Sequence, residues 1–167
     1  LHTENYEPRQ SIMTQTPPVA IVLAEQHIPH RVFQHATPPR SVEEAAEVRG
    51  QTPDQVVRSI LFRLAEDEYL MVLMAGPGQI DWGALRRYLG VSRISMAEKD
   101  EVLRVTGYPI GAVAPLGLPR PIRILVDEGL QTQDEISLGS GVRGTAIMMR
   151  ATDLLSAIGN YEIGKFG

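Results

Sequence analysis

The chain has 167 residues, 43% of them hydrophobic, carries a net charge of −4 at pH 7 and has no cysteine. That length buries about two thirds of the unfolded surface and suits one compact domain, the acidic balance argues against bulk electrostatic attachment to nucleic acid, and the missing thiols exclude disulfides and thiolate metal sites. No apolar run reaches the roughly 18 residues a membrane helix needs, and the start lacks the basic-then-apolar order of a signal peptide, so a cytoplasmic protein is expected.

Residues 1–18, polar and closed by Pro17 and Pro18, predict a flexible leader. The stretch "VAIVLAEQHI" then predicts a short helix with proline near its first turn, where a missing N–H costs little. "HRVFQH" reads as a strand. Three capping pairs announce helices, because a cap side chain accepts from the N3 amide while the N3 side chain reaches back. These are Ser41 with Glu44, ending near Gly50; Thr52 with Gln55, with Pro53 first; and Ser95 with Glu98, ending at Gly107. A hairpin, "SILFRLA" and "YLMVLMA" joined by the acidic "EDE", lies between the last two, and Asp81 to Leu89 adds a helix stopped by Gly90. "PIRILVD", "EISL" and "TAIMMR" read as strands, and a helix is expected from about Thr152 to Ile158. The order is no regular βαβ alternation and fits an α+β fold, a mixed sheet with helices around it.

Few motifs carry chemistry by themselves. "GSGVRG", residues 139–144, matches the dinucleotide pattern G-x-G-x-x-G, but the β-branched "TAIMMR" follows where a helix should open. A nicotinamide-dependent oxidoreductase rests on that motif alone. His27, His30 and His35 have no carboxylate or thiol at ligand spacing, and Glu43, Glu44 and Glu47 read as a solvated helix face. Arg58, at a helix-to-strand junction beside Ser59, reads as a surface arginine with its stem on the core. The uncharged stretch "TGYPIGAVAPLG", residues 106–117, has three glycines and two prolines and no evident structural purpose.

That stretch resembles the segment T-G-Y-x-x-G-G-x-x-P-x-G of the YbaK/prolyl-tRNA editing domain family, whose members hydrolyse wrongly charged aminoacyl-tRNA. "QTPDQVVRSILF", "GQIDWGALRRYLG" and "GSGVRG" resemble further family segments in the same order, so the similarity covers about residues 19–159. The resemblance implies a single editing domain over residues 19–167, built as a mixed, barrel-like β-sheet surrounded by helices. It implies a pocket for the aminoacylated 3′ end of tRNA, a synthetase or tRNA complex as a further partner, no metal or organic cofactor, and neither membrane nor DNA as a partner.

The site it implies is catalytic at Arg58 and Gly111, with His35, Ser59, Gly107, Ala112, Pro115, Gly139, Ser140 and Gly141 binding substrate. Backbone amides of the glycine-rich loop would stabilise the oxyanion formed when the ester is attacked. The water would be oriented by backbone groups and the substrate's own ribose hydroxyl, and pocket size would select Ala, Cys or Ser. Three positions depart from the family pattern. Arg58 stands for the lysine and cannot act as a base, Ala112 stands for the second glycine of the pair, and Gly139 stands for a serine, with Ser140 beside it. These departures favour two readings: a freestanding deacylase acting in trans, or a noncatalytic module of the same fold that binds aminoacyl-tRNA or a nucleotide.

Overall fold

Hydrophobic pattern and capping chemistry set the order of elements in the computed structural model, which describes residues 16–167. Helix α1 (Pro18–Glu25) leads to β1 (Arg31–Gln34), α2 (Val42–Arg49) and a 3-10 turn at Pro53–Gln55. Then follow β2 (Val57–Ala65), β3 (Glu68–Ala75), α3 (Trp82–Leu89), β4 (Ser95–Met96) and α4 (Lys99–Thr106). The chain closes with β5 (Arg123–Asp127), a 3-10 turn at Glu128–Thr132, β6 (Glu135–Gly139), β7 (Thr145–Arg150), α5 (Ala151–Ile158) and β8 (Glu162–Gly164). Of the expected leader, residues 1–15 lie outside the described residues, and Pro18 already opens α1.

The strands form two sheets, β4-β2-β3-β5-β8 and β1-β7-β6. In the first, β2 and β3 are an antiparallel hairpin while β3, β5 and β8 run parallel; the second is antiparallel throughout. Among the described residues a parallel bridge, Val56 to Ser137, connects them. The α+β class and mixed pairing agree with the sequence reading, but no closed barrel forms among the described residues. Strand β3 has five consecutive buried residues, Leu70 to Met74, because apolar clusters cover both its faces. Met71 and Leu73 meet Val57, Leu61 and Leu138, whereas Leu70, Val72 and Met74 meet Phe62, Leu85 and Phe166.

Local chemistry explains where the expected helices hold and where they do not. Ser41 Oγ accepts from the Glu44 amide at 3.0 Å, and Gly50, Gly90 and Gly107 take the left-handed conformation that stops α2, α3 and α4. Thr52 and Gln55 cap only a single 3-10 turn, because pairing of β2 with β3 begins at Val57 and leaves no room for a full helix. Ser95 does not open α4: its backbone pairs with Arg63 in β4, and the cap moves to Glu98, whose amide donates to Glu101 Oε1 at 3.0 Å. Strands β4 and β8, two and three residues long, are too short to carry a periodic signal.

Candidate functional site

Alternation along β2 divides its side chains between the two clusters. Val57 and Leu61 enter one, with Ser59 between them on the same face, while Ile60 and Phe62 enter the other. A cleft of about 350 Å³ lies along the first half of this strand, and its walls include Val57, Leu61, Val102, Val113 and Leu138. Into this apolar surface Ser59 brings a hydroxyl whose Oγ is buried and has no hydrogen-bond partner among the described residues. Buried hydroxyls are ordinarily hydrogen-bonded, so this one marks the cleft as a place for a polar partner.

The glycine-rich loop after α4 forms the opposite wall. Thr106 Oγ1 accepts from the Tyr108 amide at 3.0 Å, and the Tyr108 hydroxyl donates to the Leu116 carbonyl at 2.7 Å, which folds the loop back on itself. Residues 112–116 are thereby buried, leaving Ile110 and Gly111 exposed at the cleft. Gly111 has φ +93°, a conformation glycine adopts without strain. The Ala112 amide is occupied by the Pro109 carbonyl at 3.0 Å. Gly111 and Val113 line the cleft, and their amides donate no hydrogen bond among the described residues.

The second glycine-rich segment, residues 139–144, locks onto this loop. Gly141 donates to the Ala112 carbonyl at 2.9 Å, Arg143 Nε donates to the Ile110 carbonyl at 3.0 Å, and Gly139 lies directly against the Ala112–Val113 backbone. No nucleotide helix follows, because Thr145 opens β7. Ser140 Oγ is engaged locally with the Val142 carbonyl and the Thr145 hydroxyl.

Two arginines reach the cleft by different routes. Arg58 lines it where β2 begins, but its guanidinium donates through Nε to the Gly76 carbonyl at 2.9 Å and through Nη2 to the Gly78 carbonyl. Burial lowers its pKa, with Glu43 opposing. Arg49, on the last turn of α2, donates through Nε to His35 Nε2 at 3.0 Å and through Nη1 to Ser137 Oγ at 2.9 Å. It has no carboxylate within 4 Å among the described residues. Ser137 in turn donates to Gln51 Oε1 at 2.6 Å. Accepting at Nε2 means that neutral His35 carries its proton on Nδ1. Burial first, then the Arg49 charge, hold the His35 pKa below its ordinary value, with Glu44 opposing.

Of the residues singled out in the sequence, Arg58, Ser59, Gly111 and Gly139 come together at the cleft. His35 stands one contact behind it, through Arg49. Gly107 caps α4, Ala112 and Pro115 are buried within the loop, Ser140 is engaged with Val142 and Thr145, and Gly141 ties the two glycine-rich segments together. The Ala112 methyl, fully buried, is not part of the cleft wall. Arg49 was missed because a basic residue in the last turn of a helix ordinarily complements the helix dipole, and only the meeting of α2 with β6 reveals its other partners.

The model of the aminoacyl-tRNA editing domain matches residues 37–157. A proline–tRNA ligase of Thermosipho melanesiensis is 31% identical over 109 residues, 65% of this chain and 19% of the ligase. The chain thus spans about a fifth of that relative's length. YwhH of Bacillus subtilis, an uncharacterized protein, is 30% identical over 123 residues, 74% of this chain and 78% of YwhH. Among solved structures, one described as a proposed trans-editing enzyme for prolyl-tRNA synthetase superposes with a TM-score of 0.79 at 26% identity, covering 89% of this chain and 94% of that one. A hypothetical protein with TM-score 0.80 at 23% identity shares the fold.

Proposed function

The chain belongs to the aminoacyl-tRNA editing domain family, and on that footing we propose that it hydrolyses, in trans, the ester of a tRNA charged with a small amino acid such as Ala, Cys or Ser. The observation that carries this reading is the coincidence, in one apolar cleft, of an unpartnered Ser59 hydroxyl with the undonated amides of Gly111 and Val113. Together they offer donors to a carbonyl oxygen and a hydroxyl to a neighbouring polar group.

Attack of water on the ester carbon moves charge onto the carbonyl oxygen. Preorganised amides stabilise that charge, each worth about 3 kcal/mol in acyl-transfer sites. The tetrahedral intermediate then expels the ribose oxygen, which takes up the proton released by the water. Neither Ser59 nor His35 need act as a nucleophile or base; the substrate's adjacent ribose hydroxyl orients the water. At about 350 Å³ the cleft lies near the lower limit of the roughly 300–1,000 Å³ usual for small-molecule sites, which favours short side chains. Arg49 and Arg58 supply positive potential at the wall, with Arg58 Nη1 and Arg49 Nη2 left for a phosphate or carbonyl oxygen.

A second reading, an aminoacyl-tRNA binding module without catalysis, draws on the tethering of the Arg58 guanidinium to Gly76 and Gly78. Incubation with tRNAs mischarged with Ala, Cys and Ser separates the two. Deacylation of at least one above background supports the hydrolase, and background rates across all three reject it. Binding of a non-hydrolysable aminoacyl-adenosine with no turnover favours the module.

A further inference from the structure

A second concavity of about 500 Å³ opens at the β4 edge of the same sheet, lined by Arg63, Arg86 and Arg93 together with Ser92, Ser95, Leu64 and Ile94. The two hollows border the same strands: Leu61 of β2 and Met96 of β4 line the cleft, and Arg63 of β2 and Ser95 of β4 line the concavity. Leu64 and Ile94 of the concavity pack with the cluster of Phe62 and Leu85, and Leu61 and Val102 of the cleft with the other, so β4, at the edge of the sheet, is the border they share.

The lining holds no carboxylate. Arg63 is offset by Glu101 at 3.5 Å, but Arg86 and Arg93 have no carboxylate within 4 Å among the described residues. Arg86 sits in the last turn of α3, where the helix dipole favours a cation but supplies no counter-charge across the hollow. On a chain of net charge −4, uncompensated arginines facing one open hollow with two hydroxyls form a site suited to a polyanion. The acidic turn at residues 66–68 follows the far end of β2 and lines neither hollow.

We propose that this concavity holds backbone phosphates of the RNA strand whose aminoacylated end enters the cleft. The inference rests on the editing reading above for the direction of the strand, while the phosphate site itself stands on its own charges. With Arg63 paired, Arg86 and Arg93 make the phosphate contacts, and Ser92 and Ser95 hydroxyls donate to the same oxygens.

The test compares wild type with the Arg86→Gln/Arg93→Gln double variant, and with Arg86→Lys/Arg93→Lys, against two probes. One is a fluorescent, uncharged RNA acceptor-stem hairpin ending in CCA; the other is an amide-linked aminoacyl-adenosine without phosphates. Thermal melting establishes that each variant is folded. The glutamine variant is expected to lose about tenfold in hairpin affinity at low salt, and its plot of log affinity against log salt to flatten by about 1.5, near the loss of two phosphate contacts. The lysine variant keeps most of the slope, and affinity for the adenosine probe is the same in all three. An unchanged hairpin affinity and slope in the glutamine variant overturns the proposal. A flattened slope with no binding of the adenosine probe by wild type upholds the phosphate site and removes the cleft reading instead.

Discussion

Gly139 lies so close under Val113 that a Cβ at position 139 would sit 2.2 Å from the Val113 carbonyl oxygen. The obstacle is backbone, so neither partner can rotate away. Gly139→Ala is therefore expected to lower stability by about 1–3 kcal/mol, as overpacking does, and to displace the wall that carries the Gly111 and Val113 amides. Urea unfolding reads the first effect. Deacylation rates measured well below the unfolding transition read the second, and should fall although residue 139 bears no reacting group.

Ser59→Ala should separate stability from binding. Removing a buried, unpartnered hydroxyl relieves its desolvation cost, so the variant is expected to unfold at equal or higher denaturant than wild type, by up to about 1 kcal/mol. Its affinity for an aminoacyl-adenosine should drop by about tenfold. A loss of stability would mean that the hydroxyl is already satisfied.

Tyr108→Phe removes the bond to the buried Leu116 carbonyl. The expected cost is about 1–2 kcal/mol, with faster amide exchange across residues 109–113 as the loop loses its tie. Exchange confined to other segments would contradict this role.

The His35–Arg49 contact predicts a pH dependence. A folded-state pKa held below the ordinary value means that the unfolded chain binds the proton more readily. The contribution to stability is complete above the unfolded value of about 6.5 and is lost as pH falls through the lower folded value. His35→Gln keeps an acceptor for Arg49 without titrating, so between pH 7.5 and pH 5 it should lose less stability than wild type. Parallel loss in both proteins would argue against the contact.

Much of the fold was legible because its signals are local. Ser41 with Glu44, and the glycines at 50, 90 and 107, act within a turn of where they stand. Ser95 misled because its fate is set by β2, more than 30 positions earlier in the chain. The site divides in the same way. Arg58, Ser59, Gly111 and Gly139 were marked by their segments, yet only the fold reveals that the Arg58 guanidinium is held by Gly76 and Gly78 while its neighbour's hydroxyl is left bare. Arg49 left no trace in the pattern, because its partners come from β6 and from the residue after β1. The loop at 106–117 proves chiefly architectural: from Ala112 to Leu116 it is core, and Gly111 and Val113 are among its residues whose amides donate no hydrogen bond among the described residues.

The account turns on those two amides, and amide NMR during titration with a non-hydrolysable aminoacyl-adenosine examines them directly. The Gly111 and Val113 amide protons should move downfield as the carbonyl oxygen docks, while the Ala112 proton, already bonded to Pro109, stays in place. Saturable binding that leaves Gly111 and Val113 unmoved would contradict an acyl site in this cleft.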